Sequence, residues 1–250
     1  MLRTGVVAAF ALLLTHAVAS AQVVELEGRY WFTDIDGSVK TKSGGTEIDL
    51  VDDLGFDREN TPEGRLTFFT GLNSRLRLGY AHLKFDADQT LSRTLTFEGS
   101  TFTVNSQVRS ELEVHYGRLG WLWQPLTLPG LLKFGGLLEA KGFVVDGSLR
   151  TRGSTPEVRE STSFPLVLPT VGLALDVTPH RVLHLFAEAS GLPAGGLGHI
   201  VDAEVGLRVF PVAFFGLSAG YRVFDLRAEK HDDFAKLRLF GPFVGAVLRF

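Results

Sequence analysis

From Val201 to Phe210 the chain changes character at every step: Val201, Ala203, Val205, Leu207 and Val209 alternate with Asp202, Glu204, Gly206, Arg208 and Phe210. Successive side chains of a strand point to opposite faces, so this segment has one aliphatic face and one that carries charge. The pattern recurs in Leu183, Leu185, Ala187 and Ala189 against His184, Phe186, Glu188 and Ser190. It recurs again in Leu132, Phe134, Gly136, Leu138 and Ala140 against Lys133, Gly135, Leu137, Glu139 and Lys141. No stretch of the mature chain holds apolar residues at helical spacing over several turns, so the alternation predicts an all-β protein. A soluble sheet would hide the aliphatic face in a core, whereas a small barrel in lipid turns it outward.

About ten such segments are predicted, an even number of the kind that transmembrane barrels use. They fall at residues 23–33, 62–71, 75–85, 107–123, 131–145, 164–177, 181–192, 199–210, 214–229 and 236–250. The connections alternate in length. Leu72-Asn73-Ser74, Gln124 to Gly130, Thr178-Pro179-His180 and Pro211-Val212-Ala213 are short and rich in turn formers. Residues 34–61, 86–106 and 146–163 are long and polar, followed by the shorter 193–198 and 230–235. In a bacterial barrel the short turns face the periplasm and the long loops the outside. Residues 93–97 and 100–104 read as a hairpin standing above the membrane. Were it to span, the count would be twelve, and eight is also open.

Aromatic residues support two interfacial girdles. Phe68, Trp121, Trp123, Phe134, Phe210, Phe214, Phe215 and Phe250 fall at the short-turn ends, and Tyr30, Trp31, Phe32, Tyr80, Phe143 and Phe164 toward the long loops. Two places resist the scheme. Leu112, Val114 and Tyr116 read as lipid-facing, and the same parity would carry Arg118 into lipid at a cost of about 2–4 kcal/mol. A bulge near Gly117 is therefore predicted to switch faces. Gly241-Pro242 is predicted to interrupt the last strand, because proline cannot donate to the ladder.

Arg3, the apolar run Val6 to Leu14 and the small-residue motif Ala19-Ser20-Ala21 predict a secretory leader over residues 1–21, with a single β domain over 22–250. That run is shorter than the roughly 20 apolar residues of a spanning helix. The chain has no cysteine, so neither a disulfide framework nor a lipidated cysteine is expected. Its formal net charge of −3, without a basic run, argues against nucleic acid as a partner.

Turning the charged parity inward fills the lumen with Glu25, Glu27, Arg29, Arg65, Arg75, Arg77, Glu111, Glu113, Glu139, Lys141, Asp176, Glu188, Asp202, Glu204, Arg208, Arg222 and Arg249. An unpaired buried charge costs several kcal/mol, so these groups must pair or hold water. The first reading is an interior plugged by ion pairs; the alternative is a narrow solute or ion channel. A third reading, hydrolysis of lipid or peptide, rests on His82 and His115, which fall on neighbouring strands with Glu111 and Glu113 near the outer rim. His184 and Glu188 share a face but stand about 13 Å apart along their strand, too far to hydrogen-bond. There is no H-E-x-x-H motif and no phosphate-binding loop, and no cofactor, metal or catalytic residue is assigned. The acidic stretches Asp49, Asp52, Asp53, Asp57, Glu59 and His231, Asp232, Asp233 can solvate their loops or hold divalent cations on lipopolysaccharide phosphates. Glu47 to Leu54 alternates, which predicts an ordered strand or lid within the first long loop.

The leader, the alternating strands, the two girdles and terminal Phe250 together resemble the small outer-membrane β-barrel proteins of Gram-negative bacteria, throughout Gln22 to Phe250. Leu26-Glu27-Gly28-Arg29-Tyr30-Trp31-Phe32 and Gly241-Pro242-Phe243-Val244-Gly245 are similar to a subgroup whose role is not characterised. The resemblance implies a closed antiparallel up-and-down transmembrane β-barrel, exported through the periplasm into the outer membrane. It implies outer-membrane lipid and lipopolysaccharide as surroundings, and a barrel-assembly machinery that reads Phe250. A monomer with a structural or surface-binding role is expected, with loops 34–61, 86–106 and 146–163 as its contact surface.

Overall fold

A computed structural model describes residues 24–40, 45–71, 73–97, 99–152, 158–193, 198–230 and 233–250. The leader, Leu72 of the first short turn and His231 with Asp232 lie outside the described residues. The elements are β1 (Val24–Lys40), β2 (Ile48–Asp49), β3 (Glu59–Gly71), β4 (Ser74–Thr90), β5 (Leu95–Phe97), β6 (Ser100–Phe102), β7 (Gln107–Leu128), β8 (Leu132–Arg152), β9 (Arg159–His180), β10 (Leu183–Pro193), β11 (Gly198–Val212), β12 (Phe215–Lys230) and β13 (Asp233–Arg249). Ten of them form the wall, each antiparallel to its neighbour in chain order, and β13 returns to β1 so that the sheet closes. Phe250 seals the seam, its N–H donating to Val24 O at 2.9 Å and its carbonyl accepting from Val24 N–H at 3.3 Å. Closure leaves no wall strand with an open edge, which is what a sheet in hydrocarbon requires. β5 and β6 pair only with each other, so the hairpin does not span and the count is ten rather than twelve.

Strands such as β7 and β8 run well beyond a bilayer's requirement and carry two chemical zones. Toward the short turns the outer face is apolar, with Leu78, Leu119, Trp121, Leu138, Val171, Val205 and Leu217 all exposed. Toward the long loops the outer face becomes charged, as in Lys84, Asp86 and Asp88 of β4 and Arg109 of β7. The inner face changes in the opposite sense, from buried Arg77 to buried Ala81, Leu83 and Phe85 along β4.

This double inversion corrects the predicted bulge near Gly117. The register of β7 on β4 runs unbroken from Ser74↔Trp123 to Thr90↔Gln107, and Val114, Tyr116 and Arg118 are all buried on the inner face. Val114 and Tyr116 point inward because they lie above the lipid zone, where water is outside and the apolar core is inside. β13 runs through Gly241-Pro242 with its register to β12 unbroken, and the expected interruption is confined to the β1 side, where pairing lapses between Trp31↔Phe243 and Asp34↔Phe240. Pro242 pairs with Tyr221 and is exposed, and Gly241, at φ 151°, lies so close to β1 that a Cβ there would meet Phe32 O at 1.9 Å. Among the described side chains, which do not include that of Phe164, three girdle aromatics are inside instead: Trp31 at 2%, Phe143 at 6% and Phe210 at 5% exposure. The outer border is marked by the exposed rings of Tyr30, Tyr80 and Tyr221.

Candidate functional site

The inner wall of the lipid zone carries a lattice of ion pairs. Arg65 donates twice to Glu204, at 2.8 and 2.9 Å, and Arg29 reaches the same carboxylate at 3.1 Å. Arg222 makes a forked contact to Asp202 at 2.9 Å on both arms and donates to Glu63 at 3.2 Å. Lys141 Nζ donates to Asp202 at 2.6 Å and lies 3.1 Å from Glu139, which accepts from Ser190 at 2.7 Å. Arg208 donates to Glu27 at 2.9 Å, Arg249 to Glu25 at 2.8 Å, and Arg77 to Glu188 at 2.8 Å. Arg75 and Gln124 both donate to Asp176 at 2.8 Å nearer the short-turn end. Aromatic rings interleave: Arg222 stands over Trp31 and Arg29 over Phe243 at 4.9 and 4.3 Å from the ring centres. Such stacking gives guanidinium groups a favourable face where water is excluded.

Of the residues expected in the lumen, Glu25, Glu27, Arg29, Arg65, Arg77, Glu139, Lys141, Glu188, Asp202, Glu204, Arg208 and Arg222 are buried inside, and Arg75, Asp176 and Arg249 are half-buried there. Glu111 and Glu113 are not lumen residues. They share the outer parity of Arg109, one residue out of phase with buried Val114 and Tyr116, and Glu111 accepts from Arg109 at 2.7 Å on the outer wall. One lattice member, Glu63, lies outside the sequence reading, although it shares the parity of Arg65 and the same argument reaches it. Arg118, 3.4 Å from Glu63, faces inward as expected, but without the bulge invoked to turn it.

Above the lattice the lumen turns apolar and the first two long loops fold into it. Ile48, Leu50, Leu54 and Phe56 from the first, with Leu91, Leu95, Phe97 and Phe102 from the second, pack against Ile35, Leu83, Phe85, Val108 and Leu149 of the wall. Ile48 pairs with Val39, so the alternating Glu47 to Leu54 stretch does hold a short strand followed by a turn. The loop's acids are used internally. Asp49 accepts from the N–H groups of Val51 and Asp52, both at 2.8 Å, and Asp53 forms a forked ion pair with Arg93 of the second loop. That guanidinium holds the Asp53 carboxyl below the usual carboxylate range.

On the outer wall His82 and His115 are direct cross-strand partners, their rings stacked at 4.5 Å and 1°. Glu113 Oε1 lies 2.6 Å from His82 Nε2 and 3.4 Å from His115 Nε2, and Tyr80 OH lies 2.8 Å from His115 Nδ1. The pair expected near the outer rim thus meets its carboxylate, on the outside of the barrel. At the opposite end a pocket of about 250 Å³ opens among Glu25, Arg75, Lys133, Asp176, Arg208 and Arg249.

No protein-family profile and no curated protein sequence matches the chain. Among solved structures, the outer membrane protease OmpT of Escherichia coli aligns over 91% of this chain and 97% of its own, with a TM-score of 0.60 at 9% identity. The translocator domain of the autotransporter NalP from Neisseria meningitidis aligns over 97% and 93%, at TM-score 0.49 and 13% identity. Ail of Yersinia pestis aligns over 92% and 100%, at 0.39 and 13%. The likeness to the protease is one of fold alone. This chain is a ten-stranded antiparallel barrel with the fold of Gram-negative outer-membrane β-barrel proteins.

Proposed function

We propose that this protein is an integral outer-membrane barrel that acts as a closed scaffold and not as a conduit, presenting its long-loop end to ligands or neighbours. It reaches the membrane through the periplasm, sits among lipid and lipopolysaccharide as a monomer, and offers Phe250 to the assembly machinery. The observation that carries the closed reading is the dryness of the lattice: Arg65 is 2%, Arg222 1% and Lys141 0% exposed. A conducting lumen wets its charged groups, since ions pass by exchanging water for those groups. The apolar plug above adds a second barrier that polar solutes have no means of crossing.

Single-channel recording in planar bilayers tests this reading. The unaltered protein is expected to be silent at low and high salt. A steady conductance whose ion selectivity shifts in Glu139→Gln or Arg208→Gln would overturn it.

A further inference from the structure

We propose that His82, His115 and Glu113 form a binding site for one divalent transition-metal ion of the zinc class, on the outer wall at the border of the lipid zone. The donor set is two imidazole nitrogens and a carboxylate oxygen, which suits zinc, copper or nickel; calcium and magnesium prefer oxygen alone. The candidate ligand atoms of the three residues lie within 4.8 Å of one another. Ligands at ~2.1 Å from a tetrahedral zinc stand roughly 3.4 Å apart. His115 Nε2 and Glu113 Oε1 are already 3.4 Å apart, and the His82 contact of 2.6 Å has only to open by under about 1 Å.

Second-sphere support is also present. Tyr80 OH engages Nδ1 of His115, and with the Nδ1 proton donated to that oxygen the lone pair of Nε2 points at the cluster, the arrangement that fixes the tautomer of a metal-bound histidine. The ladder brings the three side chains together: His82 faces His115 and Glu113 is the next outward residue on β7, so binding needs no backbone rearrangement. The two rings, stacked parallel as they stand, turn about their side-chain torsions so that both Nε2 lone pairs meet one ion. The side chains of His82, Glu113 and His115 are 37%, 40% and 40% exposed, which leaves an entry path and a fourth position for water or an external ligand. Below the cluster on the same outer faces stand Tyr80 and Leu78 of β4 and Leu119 of β7, and above it Lys84 and Glu111. The ion would therefore sit at the height where headgroups and water meet.

The test uses the protein purified without a histidine tag, freed of metal with a chelator and held in detergent micelles. Titration calorimetry with zinc chloride is expected to give one saturable site per chain. His115→Ala and Glu113→Gln are each expected to weaken it at least about tenfold. His199→Ala, which removes another outer-wall histidine, is expected to leave it unchanged. Cobalt loading should give the visible absorption of a four-coordinate site, lost in His82→Ala. The proposal is overturned if the unaltered protein shows no saturable uptake up to about 1 mM zinc. It is equally overturned if the double variant His82→Ala/His115→Ala, with the gel mobility of a folded barrel, keeps the parent isotherm.

Discussion

Arg77 and Glu188 show what a single buried pair is worth in this interior. Their side chains are 3% and 8% exposed, and Arg77 shares its carboxylate with no other base within ion-pair distance among the described contacts. Removing one member strands the other, at a cost of about 3–5 kcal/mol, while replacing both by apolar groups of similar volume is often neutral. Arg77→Met alone is thus expected to lower the temperature at which the folded gel band converts to the unfolded one. Arg77→Met/Glu188→Leu should recover most of that loss. A double variant as unstable as the single one would show that the pair does more than satisfy itself. The charged parity of Arg77, Glu188 and Asp202 was plain in the sequence because each has aliphatic neighbours on both sides. Which base meets which acid was not legible, since partners such as Arg65 and Glu204 lie on strands far apart in the chain.

At the scale of elements, β7 carries the main lesson about reading strands. Alternation gives the two faces, but it does not say which face is wet. The sequence from Glu111 to Trp123 holds one continuous parity, and only the surroundings change, from water outside and a core inside to lipid outside and ion pairs inside. A strand immersed over its whole length would need a bulge at Gly117 and would turn Glu111 and Glu113 inward; the change of surroundings removes both requirements. The folded loops make their own prediction. Asp53 is held below its ordinary value by Arg93, so the ion pair contributes stability above the unfolded carboxyl value of ~3.9 and loses it as pH falls through the lower folded value. Hydrogen exchange over residues 48–56, corrected for intrinsic rates, should be unchanged between pH 7 and about 5 and rise below about 4. Arg93→Ala should raise it already at neutral pH. At the β1–β13 seam, Gly241→Val places a side chain where Phe32 O stands, and a marked loss of the folded gel band is expected.

For the whole molecule the decisive surface is the outer one. Val205 is 57% exposed in the apolar band, whereas Asp86 stands on the charged wall above it. Val205→Arg is expected to cost about 2–4 kcal/mol in lipid and Asp86→Arg little, read as unfolding in vesicles. Equal tolerance at the two positions would remove the lipid zone from where it is drawn.

One consequence follows from a wall whose oily side passes from outside to inside partway up. Shifting the cylinder down by two residues, roughly 5 Å along the membrane normal for tilted strands, would push Lys84, His82 and Glu113 into oil; raising it equally would lift a ring of bare leucine and valine into water. The molecule therefore has a fixed draught, like a hull with its waterline painted on. Anything fastened at that line keeps a constant height above the membrane's midplane.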